Sequence, residues 1–295
     1  MSEGKISEVA SYALTHPSAI REIMNVVTDY KLHPEKYPRR LIYLGGGWPQ
    51  DPPPKLLRDA LLEIASSEKL FRAFARYGAT KGQPSLINAI VDYEREIFGR
   101  KTSFENVIVG AGSTELTIAV FLSLLDRTDE VVLTKPAYLN YARQLKIAID
   151  LNVNVKFWPL FDGYEYSPDL EKLKEVVSKR TKLVLLSTPG NPDSQVLPED
   201  VLRGAVEIAA DANAYVIVDV AYRAFHFDGM PSYYAREPLE NEIWLCSFSK
   251  ELRIPGWRLA YLLADEHLVR AVETIEQARM LCAPRILQEA VAKAL

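Results

Sequence analysis

From about residue 85 onward, short β-branched apolar runs alternate with longer amphipathic stretches. The pattern predicts a helix over 86–98, a strand over 107–109, a helix over 114–125 and a strand over 130–134. It continues with helix 138–147, strand 153–157, helix 168–177, strand 183–187, helix 198–210 and strand 215–219. Strands over 243–247 and 259–263 and helices over 266–280 and 286–295 complete the series. The strand runs are apolar on both faces, as a sheet covered by helices requires. Strands and helices alternating at this spacing predict an α/β fold: three α/β/α layers around a mainly parallel sheet. In such sheets ligands bind at the carboxyl ends of the strands, which is where the chemistry-bearing residues cluster.

Lys250 directly follows the strand run 243–247, with Ser247 and Ser249 on either side of Phe248 and Arg258 a short way on. A lysine that forms a Schiff base needs a fixed mount, with hydroxyl and cationic groups nearby to hold an anion. Gly110-Ala-Gly-Ser-Thr-Glu-Leu116 follows another strand and opens a helix, so free backbone N–H groups and the hydroxyls of Ser113 and Thr114 form an anion cradle. Asp219-Val-Ala-Tyr222 ends a third strand, and an aspartate there is costly unless a cation meets it. Taken singly, each segment has a plainer reading: a solvated lysine, a capped glycine turn, a helix-capping aspartate.

In their order and strand-end context, these segments resemble the class I/II aminotransferases, fold-type-I enzymes that use pyridoxal 5′-phosphate (PLP). The resemblance implies that Lys250 carries the cofactor as an internal aldimine. Gly112, Ser113, Thr114, Ser247, Ser249 and Arg258 would surround its phosphate. It also implies that Asp219 meets the ring nitrogen, Tyr222 the ring hydroxyl, and Ala221 the underside of the ring. Pro189-Gly-Asn-Pro-Asp-Ser194 resembles the family's Asn-Pro-Thr-Gly turn, giving Asn191 a contact with cofactor and substrate carboxylate, although Asp193 and Ser194 depart from it. In Pro136-Ala-Tyr-Leu-Asn-Tyr141, Tyr138 matches the aromatic stacked on the ring; Tyr141 is the alternative for that role, or both are core residues. Tyr77-Gly-Ala-Thr-Lys-Gly82 resembles the segment whose tyrosine reaches the phosphate of the neighbouring subunit, which implies a homodimer. In Leu44-Gly-Gly-Gly-Trp-Pro49, Gly47 matches a substrate-side glycine, with Trp48 a candidate pocket wall. The run Ser18–Met24 is similar to the opening helix of the 2-aminoadipate/kynurenine subgroup.

The activity so implied is ping-pong transfer of an amino group between an amino acid and a 2-oxo acid, with Lys250, Asp219 and Tyr222 as the catalytic set. β-Elimination or other lyase chemistry on the same scaffold, and a non-catalytic PLP-binding domain or inactive fragment, are the alternatives. Residues 1–45 would form an N-terminal arm and part of a small domain, and 46–295 the PLP-binding large domain. The family continues into a small C-terminal domain carrying an arginine for the substrate carboxylate, for which Arg270, Arg279 and Arg285 come too early. The expectation is therefore a truncated chain.

Composition narrows the alternatives. At 295 residues, 48% apolar and 25% charged, the chain can bury a large core. A net charge of −4 with no basic cluster argues against a nucleic-acid partner. Cys246 and Cys282 have no CxxC spacing and read as buried thiols in a reducing compartment. The four histidines have no ligand spacing, so no metal site is expected. Apolar runs too short to cross a bilayer and a polar N-terminus predict a soluble, cytoplasmic protein.

Overall fold

The computed structural model describes residues 6–227 and 229–295. Its centre is a seven-stranded sheet in the order β1-β9-β8-β7-β6-β2-β3. The strands are β1 (Val107–Gly110), β2 (Glu130–Lys135), β3 (Asn154–Pro159), β6 (Thr181–Ser187), β7 (Tyr215–Asp219), β8 (Glu242–Ser247) and β9 (Ala260–Leu263). A separate hairpin joins β4 (Phe161–Asp162) to β5 (Glu165–Tyr166). Strand β9 runs antiparallel to both neighbours, β1 and β8, while the other pairings are parallel. The mainly parallel sheet expected from the apolar runs is present.

Neighbouring residues of each strand go to opposite cores. Val107, Val109, Val216, Val218, Trp244 and Cys246 pack with α5 (Pro84–Phe98), α8 (Leu170–Val176), α9 (Glu199–Asp211) and α12 (Arg285–Ala294). Ile108, Ile217, Ile243 and Leu245 pack with α6 (Ser113–Leu124), α7 (Asn140–Ala148) and α11 (Glu266–Arg279). Both faces are dry, which gives the three layers. Local signals set the helix limits: Pro84 opens α5, Gly99 closes it at φ 72°, and the Asp265 side chain caps α11 by accepting from the His267 N–H.

Four helices precede the alternating series: α1 (Glu8–Thr15), α2 (Ala19–Leu32), α3 (Lys55–Ser66) and α4 (Glu68–Phe74). The expected helix over 138–147 starts two residues later, at Asn140, leaving Tyr138 in the preceding loop. Lys250 lies on a single helical turn, α10 (Phe248–Glu251), capped by the Ser247 hydroxyl accepting from the Ser249 N–H. Among the described residues, no helix is long and apolar enough to cross a membrane, and no His/Cys/Asp/Glu group could hold a metal ion.

Helices α6 and α11 are joined through an acidic pair. Arg279 Nη1 lies 2.6 Å from Glu276 Oε1 and 3.0 Å from Glu115 Oε1, and Glu115 Oε2 accepts from the Ala111 N–H at 3.3 Å. Burial first, and the adjacent Glu115 carboxyl second, push Glu276 up to about 8 against the opposing pull of Arg279. The folded protein therefore holds a proton that the unfolded chain releases at lower pH. This group's stabilisation is fully present below about pH 4.5 and is lost as pH rises through about 8. Thermal melts from pH 5 to 9 should show this loss in the native sequence, and Glu276→Gln should flatten it. Equal slopes for the two proteins would contradict the raised value.

Candidate active site

A cavity of about 550 Å³ opens at the carboxyl ends of the parallel strands. Ser113 and Thr114 reach it from the end of β1, Tyr138 and Tyr141 from beyond β2, Asn191 from beyond β6, Asp219, Ala221 and Tyr222 from β7, and Ser247, Ser249 and Lys250 from β8. Because β9 runs the other way, its beginning lies at this same end, which brings in Arg258. Gly45, Gly47 and Ile20 enter from the N-terminal segment.

One end of the cavity is built for an anion. No backbone hydrogen bond of the described residues uses the N–H groups of Gly112, Ser113 or Thr114, which face out from the start of α6. Gly112 has φ 95°, which strains any side chain there, and a Cβ would stand 2.4 Å from an Arg258 guanidinium nitrogen and push that group aside. Arg258 itself takes the left-handed conformation, φ 55°, and its Nη1 donates to the Pro255 carbonyl at 3.0 Å. A non-glycine residue held there carries strain of the kind found at ligand clamps.

Asp219 lines the same cavity. It is 8% exposed; Oδ1 accepts from the Ala221 N–H at 2.9 Å and Oδ2 from the Tyr141 hydroxyl. Burial pushes the Asp219 carboxyl up, with the Tyr141 and Ala221 bonds opposing. No ion pair among the described residues contains it, so the carboxylate suits a cationic ligand group. Tyr222 lies beside it, its hydroxyl accepting from Asn191 Nδ2 at 3.3 Å.

Lys250 also lines the cavity and donates from Nζ to the Gly47 carbonyl. Burial, then repulsion from Arg258, lower its pKa and favour the neutral, nucleophilic amine. A Cβ on Gly47 would come within 3.4 Å of Nζ. An anion cradle, a nucleophilic lysine and a buried carboxylate lining one cavity match the phosphate, aldehyde and ring nitrogen of PLP.

The other expected residues divide. Tyr138 is partly buried on the cavity wall, whereas Tyr141 is fully buried and bonded to Asp219 instead of presenting its face. Their rings meet edge to face, 5.3 Å apart. Trp48 is not a pocket wall; its ring folds over Gly46 beside Tyr43. Tyr77 is 83% exposed and lies outside the cavity. Asp193, replacing the threonine of the family turn, accepts from the Gln195 N–H, and the Asn191–Pro192 peptide is cis. Of the two thiols, Cys246 is buried and pushed up to about 12 by burial, while Cys282 is only partly buried and accepts from the Gly78 N–H at 3.4 Å. The link from Tyr141 to Asp219 had no sequence signal beyond a tyrosine near a strand end.

Comparison with known proteins agrees with this arrangement. Residues 39–295 match the family "Aminotransferase class I and II". The aspartate aminotransferase of Pyrococcus horikoshii is 32% identical over 231 residues, covering 78% of this chain and 57% of that protein. Transaminase BacF of Bacillus subtilis is 29% identical over 245 residues, covering 82% and 60%. The substrate-bound BacF structure superposes with a TM-score of 0.85 at 26% identity, over 99% of this chain and 72% of that one. A Thermus thermophilus aspartate aminotransferase double mutant gives 0.87 at 21% identity, with 99% and 73% covered, a likeness of fold. The chain thus spans less than two thirds of the length of these curated relatives. On the family match and the Pyrococcus likeness together, the chain belongs to the class I and II aminotransferases.

Proposed function

We propose that this chain is the PLP-binding part of an aminotransferase that moves an amino group between an amino acid and a 2-oxo acid. The observation that carries the reading is the shared cavity: anion cradle, Lys250 and Asp219 open onto one space. PLP when bound supplies an aldehyde to hold the amino group and a ring that withdraws electrons from the substrate Cα.

The protein's part is positioning and proton transfer. Ser113, Thr114, Ser247, Ser249 and Arg258 hold the phosphate, and the Arg258 fork suits a dianion. An ionised Asp219 keeps the ring nitrogen protonated, and Tyr141 keeps Asp219 aimed at it. Tyr222 and Asn191 would hold the ring hydroxyl, and Ala221 and Tyr138 would pack against the ring. Asn191 and Gly47 face the substrate carboxylate. Lys250, whose pKa burial and Arg258 lower, would take the Cα proton onto Nζ and deliver it to the carbon that carried the cofactor aldehyde.

The same reading makes residues 46–295 the PLP-binding large domain and 1–45 an N-terminal arm and part of a small domain. It also makes the protein a homodimer in the cytoplasm. Exposed Tyr77 would donate its hydroxyl to the partner's phosphate site, and the free thiols suit a reducing compartment.

Half-reactions of the PLP-loaded protein across a panel of amino acids, read by visible absorbance, test the activity and identify the substrate. No spectral change with any of them would remove it. Lys250→Ala should lose covalent cofactor and at least about 10²–10⁴-fold in rate, the size of a base contribution; unchanged turnover would sink the assignment. Asp219→Ala should keep part of its cofactor but lose about 10²–10³-fold, as for a removed electrostatic stabiliser. A native rate would take Asp219 out of the mechanism. Arg258→Gln should move the pH profile of pyridoxal addition to Lys250 upward, since that aldehyde lacks the phosphate and reads only the amine. An unmoved profile would show that Arg258 does not depress the lysine.

A further inference from the structure

Directly behind the cavity lies a group of charges that the proposed chemistry does not use. Arg223, the residue after Tyr222, and Glu251, the residue after Lys250, turn away from the cavity and meet each other. Arg223 Nε donates to Glu251 Oε1 at 2.7 Å, with side-chain exposures of 0% and 3%. Arg223 Nη2 donates to the Tyr261 hydroxyl on β9 at 2.6 Å, and that hydroxyl donates to Glu94 of α5. Arg223 Nη1 stands 2.8 Å from Glu94 Oε1 but off the line of a straight N–H bond. The guanidinium lies 3.8 Å from the Phe98 ring centroid. Arg100, also buried, closes the group 3.7 Å from Glu94.

We propose that the Arg223–Glu251 pair is a positioning clamp that fixes the Tyr222 hydroxyl relative to the Lys250 amine. The proposal rests on the reading of the cavity as a PLP site. Its physical basis is the shortness of α10. A single turn has almost no helical stability of its own, so Lys250 is held by what its neighbours touch. Phe248 packs on the Tyr261 ring, 5.1 Å between centroids, and Glu251 is tied to Arg223. The turn bearing Tyr222 is likewise short, closed by the Arg223 N–H to the Val220 carbonyl at 3.0 Å. The pair therefore joins two short segments whose other faces carry Tyr222 and Lys250. Arg223 in turn is fixed to α5 and β9. Arginine suits this role because its planar fork meets three partners at once, which an ammonium on a flexible stem cannot do.

The test uses Glu251→Ala, Glu251→Gln and Arg223→Lys in the purified chain, loaded with PLP and in the cofactor-free form. Melting curves establish that each variant folds. The pH profile of pyridoxal addition to Lys250 reads the lysine's setting without turnover. The half-reaction rate is then measured with the amino acid that reacts fastest in the panel. Glu251→Ala and Arg223→Lys should shift the pyridoxal profile and lower the maximal half-reaction rate about 10- to 100-fold, as for a reacting group displaced by an ångström. The amino-acid concentration for half-saturation should stay within about twofold, since the clamp orders the catalytic groups rather than the bound substrate. Glu251→Gln keeps an acceptor oxygen for Arg223 Nε and should recover most of the rate. Variants that melt earlier yet keep the native profile and rate would reduce the pair to a structural contact and overturn the proposal. So would Glu251→Gln as impaired as Glu251→Ala. Should the alanine variant not fold, Arg223→Lys and Glu251→Gln decide the matter on the same readouts. Failure of the native chain to bind PLP at Lys250 would instead overturn the functional reading, whatever these variants do.

Discussion

A carboxylate that ends the central strand of a sheet, almost out of contact with water, must meet a positive charge or take up a proton. Asp219 has two hydrogen-bond donors, the Tyr141 hydroxyl and the Ala221 N–H, and among the described residues no cation paired with it. These donors partly satisfy the ionised form, yet burial still pushes the carboxyl up. The site is therefore incomplete in a specific chemical sense. A protonated heterocyclic nitrogen placed there would gain an ion pair in a low-dielectric setting, and would be held in its protonated state by it. The anion cradle and Lys250 open onto the same cavity.

The back of the site obeys the opposite rule. There the charges balance within the chain: two acids, Glu94 and Glu251, sit with two arginines, Arg100 and Arg223, almost without exposure, although each keeps a buried atom without a hydrogen-bond partner. Breaking such a buried group by removing one member typically costs about 3–5 kcal/mol, because it leaves an uncompensated charge. Apolar residues would have filled the same space as well or better for stability alone. What a hydrophobic filling lacks is direction. An ion pair with a short, oriented hydrogen bond fixes one side-chain position, whereas packed methyl groups tolerate several. Tyr222 and Lys250 are the neighbours that such direction serves.

The alternating part of the fold was legible because its strands, the edge strand β3 apart, are buried on both faces while its helices pack chiefly one face, so periodicity and burial carry the same signal. The N-terminal helices gave no such burial signal, and only the run Ser18–Met24, the start of α2, was matched to a helix, by resemblance. Helix α1 has no buried residue and α2 only Val27, so their apolar residues, Ile20, Ile23 and Val26 among them, are not gathered into a stripe that a core selects. Helix α3 could have been read, since Leu57, Ala60 and Ile64 repeat at helical spacing. The β4–β5 hairpin also had a signal in Asp162-Gly163, with Gly163 at φ 58°. In the site, the residues on strand ends were visible because topology alone brings strand ends together. Tyr141, Arg223 and Glu251 were not, because their importance lies in pairings across 78 and 28 positions that no local pattern encodes.

Arg258 shows how the reversed strand completes the site. In a wholly parallel sheet, the segment before a strand lies at the far end from the ligand. Since β9 runs antiparallel to β8, the segment entering it starts where β8 ends, beside Lys250. Register fixes this, with Ser247 opposite Ala260, so Arg258 lies two residues from the strand pair that carries the lysine. Its left-handed backbone and the missing Cβ of Gly112 then let the guanidinium close on the start of α6. A cation there does two things at once: it completes the anion cradle and disfavours the charged form of Lys250. Phosphate binding and lysine activation are thus coupled through one side chain.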